Sequence, residues 1–127
     1  MRNARWIIMG LAISMISTVV VLTSALALPT TVGACTETTI AEIGTRLEGV
    51  PDSGSAVRFA DGGGQVSYQT LRAIERSRVG DEVRVCLVSV PKHCPPGDER
   101  GKVYRATNLR NHEHWTLPDS EHSCGGA

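Results

Sequence analysis

The segment Glu82-Val83-Arg84-Val85-Cys86-Leu87-Val88-Ser89-Val90 decides the fold class of this chain. It is short, rich in valine and free of glycine and proline, which is typical of a β-strand. Apolar side chains occupy both of its alternating faces: Val83, Val85 and Leu87 on one, Cys86, Val88 and Val90 on the other. The pattern therefore predicts a central strand that is buried on both sides.

Short β-prone runs surround this segment and alternate with turn residues at hairpin spacing. The further predicted strands are Ala56–Ala60, Gln65–Gln69, Lys102–Thr107 and His114–Leu117. The run Asp61-Gly62-Gly63-Gly64 predicts a hairpin turn. One short helix is predicted over Thr70–Ser77. The expected fold is mainly β, a small antiparallel barrel or sandwich of about five short strands with one short helix, stapled by disulfides.

The amino terminus has the composition of an export signal. Arg2 and Arg5 form a short basic start, and the largely apolar run Ile7–Leu28 follows. Basic residues stay on the cytoplasmic side, so this arrangement predicts that the remainder of the chain is exported. We expect an export signal over residues 1–34 and one small β domain over residues 35–127.

The fate of this signal stays open in the sequence. Small residues that suit a signal peptidase occur at Ala25-Leu26-Ala27 and at Val32-Gly33-Ala34. The second site precedes Cys35, so it also resembles a lipoprotein signal whose cysteine is acylated. The apolar run is also long enough to remain as an uncleaved anchor across a bilayer of about 30 Å. The product is expected to be periplasmic or secreted, or alternatively membrane-anchored and facing outward, with membrane contact only through the N-terminal segment or a lipid on Cys35.

All four cysteines fall in the expected domain, at Cys35, Cys86, Cys94 and Cys124. An even number in a small exported domain predicts a disulfide framework. Three pairings are open, and we favour Cys86 with Cys94 because they lie close in sequence. Cys35 with Cys124 would then join the two ends of the domain. Acylation of Cys35 would leave an odd number of thiols, which argues against the lipoprotein alternative.

Charge and length restrict the classes of function. The chain has 127 residues, 13 of them basic and 13 acidic. Removing Arg2 and Arg5 with the signal leaves 11 of the 13 basic residues against 13 acidic ones, a net charge of −2. Such a domain has no electrostatic attraction to nucleic acid, and its length leaves room for one domain only. Aromatic residues are scarce, so the disulfides are expected to supply stability that a thin core lacks.

Catalytic motifs are absent from the sequence. It has no nucleotide-binding glycine pattern, no Cys-x-x-Cys pair, no zinc-protease helix motif and no serine elbow. We expect a non-catalytic protein that needs no cofactor. A small hydrolase, or an inhibitor of one, is kept as an alternative for which the sequence offers only size and compartment.

Histidines are the candidate metal ligands, at His112, His114 and His122. His112 and His114 alternate around one residue, so on a strand both rings would point to the same face. Imidazole is a favoured ligand of copper and zinc. The competing interpretation is that these histidines are solvated in a polar loop and a loose C-terminal tail.

Three residues are candidates for binding a partner. Asp98 and Arg100 lie in the loop Cys94–Gly101, which begins with two prolines and ends with charges. That composition suits a recognition loop or a tightly held hairpin connection. Trp115 is either an aromatic anchor for a partner or a cap on an open end of the barrel.

Several short motifs together resemble a group of small exported proteins of proteobacteria. They are Val66-Ser67-Tyr68, Ser77-Arg78-Val79-Gly80-Asp81, Cys94-Pro95-Pro96-Gly97-Asp98, Trp115-Thr116-Leu117-Pro118-Asp119-Ser120 and the ending Cys124-Gly125-Gly126-Ala127. The resemblance covers most of the domain and implies an envelope or secreted setting. It carries over no activity and no functional residue. The leading hypothesis is thus a non-catalytic exported domain that binds an unknown protein or envelope component, and the alternative is a periplasmic copper- or zinc-binding protein.

Overall fold

The computed structural model describes residues 27–126, so the predicted export signal falls largely outside the described residues. Within this range the chain forms six strands and one short helix. They are β1 (Cys35–Thr45), β2 (Ser55–Phe59), β3 (Gly64–Ser67), α1 (Arg72–Glu75), β4 (Glu82–Ser89), β5 (Val103–Asn108) and β6 (His114–Pro118). No helix in this part of the chain has the length and apolar character needed to cross a membrane.

The six strands form one antiparallel sheet that curls into a half-barrel. Their order across the sheet is β3-β2-β1-β4-β5-β6. Consecutive strands pair as hairpins at both ends of the order, and the triple-glycine run turns the chain from β2 into β3 as expected. The prediction of a mainly β, disulfide-stapled antiparallel fold with one short helix is confirmed.

Strand β1 is the longest strand and was not predicted from the sequence. It is rich in threonine and glutamate, and only Thr36 and Ile40 along it are buried. Its first half pairs with β4 and its second half pairs with β2, with an irregularity between Ile40 and Glu42. A bulge of this kind bends a strand, which lets β1 join the two halves of the curled sheet.

Strand β4 is central, but the prediction that it is buried on both faces is wrong. Val83, Val85 and Leu87 face the interior and are at most 1% exposed. Val88 on the opposite face is exposed. The half-barrel has one layer, so only the concave side of each strand meets a core, and the convex side meets solvent.

The core fills the concave side of the sheet. Its members are buried apolar side chains: Ile40, Val57, Phe59, Ile74, Val83, Val85, Leu87, Tyr104, Ala106, Trp115 and Leu117. Helix α1 contributes Ile74 and is shorter than the predicted helix over Thr70–Ser77. Leu28, which precedes the first strand, also packs against this core. The fold therefore begins before Cys35.

A glutamine side chain closes the gap between the two edge strands. Gln65 of β3 is 3% exposed, and its Nε2 donates hydrogen bonds to the carbonyl oxygens of Tyr104 (2.7 Å) and Leu117 (2.9 Å). Its Oε1 accepts a 2.9 Å hydrogen bond from Nε1 of Trp115. One side chain thus makes three hydrogen bonds across a seam that no backbone ladder spans in the described residues.

The two disulfides differ from the favoured pairing. Cys35 bonds Cys86, and Cys94 bonds Cys124. The prediction relied on closeness in sequence, whereas the antiparallel register of β1 and β4 places Cys35 directly opposite Cys86. The Cα atoms of this pair are 4.0 Å apart, close enough for a disulfide bond without movement of the backbone.

Candidate functional site

The loop before β5 and the C-terminal tail lie together outside the barrel. We call residues 91–101 and 119–126 the loop–tail unit. The Cys94–Cys124 disulfide joins its two segments, and the backbone amide of Cys124 donates a 2.8 Å hydrogen bond to the carbonyl of Arg100. Gly101 has a φ of +102°, and a Cβ at this position would lie 3.2 Å from Cα of Ser123. Glycine therefore allows the two backbones to approach closely.

Asp98 is the charged centre of the loop–tail unit. Its two carboxylate oxygens accept hydrogen bonds of 2.9 Å from Nε and Nη2 of Arg100. The amide of Gly125 in the tail donates another bond of 2.9 Å to the same carboxylate. The Arg100 guanidinium, followed by this amide, holds the pKa of Asp98 well below its usual range. The structure thus brings together the two charged residues that the sequence singled out, and both are used to hold the tail.

The tail is also held at its other end. Asp119 accepts a 2.8 Å hydrogen bond from the amide of Gly101 through Oδ1. Glu121 accepts a 2.9 Å ion-paired bond from Nη1 of Arg46, whose guanidinium lies 4.4 Å from the ring centre of Tyr68. Tail and loop are therefore fixed to each other and to the sheet, although neither contributes a side chain to the core.

Two exposed valines, Val88 and Val90, lead into this loop, and a third, Val32, lies in the segment that pairs with the end of β4. Val90 immediately precedes Pro91, and Val88 lies two residues earlier on the convex face of β4. The segment that contains Val32 runs alongside them, because the amide of Gly33 donates a 2.9 Å hydrogen bond to the carbonyl of Leu87. We call Val32, Val88 and Val90 the valine patch, and its members are 43–54% exposed. An apolar patch beside a polar rim is typical of a protein–protein contact surface.

Trp115 lies apart from this surface. It is 4% exposed, on the concave face of β6, with its indole bonded to Gln65. The structure therefore places Trp115 with the core residues and away from Asp98 and Arg100.

The histidines occupy separate, exposed positions. His112 sits in the turn between β5 and β6 with a φ of +62°, His114 begins β6, and His122 lies in the tail. Only His114 belongs to a strand, so the alternation that would align two rings does not extend to His112. Among residues 27–126, no group of three or more histidine, cysteine or acidic side chains is arranged around a common point for a metal ion.

A buried carboxylate, Asp81, was not singled out by the sequence. Its oxygens accept hydrogen bonds of 2.8 and 2.9 Å from Arg110 and of 2.8 Å from Nδ2 of Asn108. The amide of Arg78 donates a further bond of 2.9 Å. The Arg110 guanidinium is the largest cause that holds the pKa of Asp81 well below its usual range. A carboxylate with this many donors is held ionised and serves the fold by joining β4 to β5 and the turns beside them.

An open groove of ≈ 720 Å³ is lined mostly by residues of β1, β2 and β3 and of the turns beside them. Small residues such as Gly44, Ala56 and Gly64 contribute to its lining. Glu42 and Arg58 also line it and form a 3.5 Å ion pair, and both of these side chains are about two-thirds exposed. Ligand sites are usually enclosed and orient a ligand with a few convergent polar groups. This groove is open, and Glu42 and Arg58 within it are paired with each other.

Comparisons with family models, with curated proteins and with solved structures find no match for this chain. Sequence reasoning identified Asp98 and Arg100 but missed the valine patch, because alternating apolar residues in β4 were assigned to a second buried face. It missed the tail as a partner of the loop because the pairing of Cys94 with Cys124 joins segments that are 30 residues apart.

Proposed function

We propose that this chain is an exported, non-catalytic domain that binds a protein partner of the cell envelope or the exterior through the loop–tail unit and the valine patch. The observation that carries the proposal is that a disulfide, several hydrogen bonds and an ion pair hold the loop–tail unit in place, although none of its side chains belongs to the core. Preorganised loops lose little conformational entropy on binding, and rigid scaffolds commonly present functional loops in this way.

Export is supported by the cysteines. All four cysteines are paired in two disulfides, and Cys35 and Cys86 are joined on the convex side of the sheet. Stable structural disulfides form in oxidising compartments and are rare in the cytosol of most organisms. The basic start and the apolar run of the amino terminus also predict that the chain is exported.

The composition of the surface favours a protein as the partner. The valine patch supplies an apolar centre, and the loop–tail unit supplies charged and polar groups beside it. Protein interfaces combine an apolar core with a polar rim. Asp98 and Arg100 neutralise each other within the unit, and Glu121 of the unit is neutralised by Arg46 outside it, so the apolar patch is expected to provide most of the affinity.

Site-specific photocrosslinking in the native host tests the binding surface. A photoreactive residue at Val88 or at Glu99 should give an adduct of one defined mass. The matched control is Val79, a valine that is 65% exposed and lies before the opposite end of β4. The Val88→Asp variant should abolish the adduct from Glu99. Absence of adducts at Val88 and Glu99, or adducts of equal yield at Val79, would overturn the proposed binding surface.

A further inference from the structure

The stretch from Leu28 to Ala34 is part of the folded domain. Leu28 is half-buried and packs against the core, whereas Ala27 just before it is exposed. A Cβ on Gly63 would overlap Cδ1 of Leu28, so the lack of a side chain at Gly63 leaves room for this leucine. The side chain of Leu28 therefore packs against the core beside the turn at Gly63.

The next residue is also bound to the barrel. The hydroxyl of Tyr104 donates a 3.0 Å hydrogen bond to the carbonyl oxygen of Pro29. Tyr104 is 3% exposed, and burial is the largest cause that raises its pKa. Pro29 gives this buried hydroxyl an acceptor, which a chain beginning after Ala34 would lack.

The end of this stretch extends the sheet. The amide of Gly33 donates a 2.9 Å hydrogen bond to the carbonyl of Leu87, and the amide of Leu87 donates a 3.0 Å bond to the carbonyl of Ala34. These bonds continue the pairing of β1 with β4 beyond Cys35. A chain that began at Cys35 would leave both Leu87 groups without these partners.

We infer that the export signal is removed between Ala27 and Leu28, so that the mature protein begins at Leu28. This inference rests on the proposed export. Ala25 and Ala27 supply the small residues that a signal peptidase requires three residues and one residue before the cleaved bond. In the hydrolysis, water adds its hydroxyl to the carbonyl carbon of Ala27 and a proton to the nitrogen of Leu28.

The same geometry argues against acylation of Cys35. A lipoprotein carries its lipid as a thioether on Sγ of the cysteine, and that cysteine becomes the first residue of the mature chain. Here Sγ of Cys35 forms the disulfide with Cys86. One sulfur atom cannot hold both bonds, and cleavage before Cys35 would also remove Leu28 and Pro29.

Intact mass of the protein recovered from a host with an export pathway tests the inference. The full chain is expressed without an N-terminal tag. The expected mass is that of residues 28–127, less two hydrogens for each of the two disulfides, with no lipid. A chain that begins at Met1 or at Cys35 with both disulfides, or at an acylated Cys35 with the Cys94–Cys124 disulfide alone, overturns the cleavage site and leaves export standing. A chain that begins at Met1 with free thiols overturns both.

Two matched substitutions locate the cleaved bond independently. Ala27→Gln places a large side chain next to the proposed bond and should leave most of the chain at the precursor mass. Ala34→Gln does the same at the competing site, and because Ala34 is exposed the folded domain should tolerate it. The mature Ala34→Gln protein should differ in mass from the unmodified mature protein only by the substituted side chain. The opposite result, with Ala34→Gln blocking removal of the signal, would place the cleavage after Ala34.

Discussion

The side chains of Gln65 and Trp115 join the two edges of the curled sheet through a single hydrogen bond of 2.9 Å. These residues lie on β3 and β6, which are the outermost strands of the sheet and are 50 residues apart in sequence. The side-chain amide of Gln65 also donates to the backbone carbonyls of Tyr104 in β5 and Leu117 in β6. The half-barrel is therefore closed by one polar side chain at a place where a full barrel would have a backbone ladder.

Substitution of this glutamine should strongly destabilise the domain. Gln65→Leu keeps a similar volume but leaves the indole Nε1 of Trp115 without its acceptor and removes the second donor from two ladder carbonyls, which should cost about 2 kcal/mol of unfolding free energy. Urea denaturation of the mature protein measures the loss. The matched control is Gln69→Leu at an exposed position, which should change stability little. Equal stability of the two variants would contradict the role of Gln65.

The Asp81 carboxylate should make stability fall in acid. Its pKa in the folded protein lies below the ordinary value of 3.8, so its contribution is fully present above that value and is lost as the pH falls below it. Urea midpoints measured from neutral pH down to about pH 3 should therefore fall less steeply for Asp81→Asn than for the unmodified protein. Asp98, whose pKa is also lowered, is common to both proteins. Urea midpoints that fall equally steeply with pH in both proteins would contradict a stabilising role of the ionised Asp81 carboxylate.

Removal of the first disulfide should destabilise the whole domain, whereas removal of the second should loosen mainly the loop–tail unit. The Cys35–Cys86 bond closes a loop with a sequence separation of 51 and joins two central strands. In the chain-entropy model its loss should cost about 4 kcal/mol, so Cys35→Ser with Cys86→Ser should greatly lower the thermal midpoint of the whole domain.

Loss of the second disulfide should act mainly on the loop–tail unit. Cys94→Ser with Cys124→Ser leaves the core residues untouched, so the tail should become sensitive to protease while the barrel stays folded. Limited proteolysis followed by mass measurement of the fragments shows whether cleavage is confined to the tail. Cleavage spread through the strands at the same rate would show that this bond also supports the core.

The leucine at the start of the domain should contribute to stability. Leu28→Ala removes a half-buried side chain that packs against the core and should cost about 1–2 kcal/mol in the mature protein. Val32→Ala removes a similar apolar group from a position that is 54% exposed and serves as the control. Thermal unfolding of both variants provides the comparison. Equal midpoints would show that Leu28 is not part of the core.

Local sequence patterns were sufficient to predict the β class, the hairpins and the short helix. Each of these elements is specified by residues within its own short segment. Examples are the valines of β4, the glycines between β2 and β3, and the alternation of buried and exposed residues in β5 and β6. Asp98 and Arg100 could be selected as candidates in the same way, because they lie two residues apart in one loop.

The tertiary structure alone decided which distant groups meet. Strand β1 carries threonines and glutamates that give no strong signal, and it becomes a strand because β4 and β2 offer it backbone partners on both sides. That pairing sets Cys35 opposite Cys86 and leaves Cys94 for Cys124. Gln65 faces the interior because Trp115 and two carbonyls meet there, and the cost of burying an amide is offset only when those partners are in place.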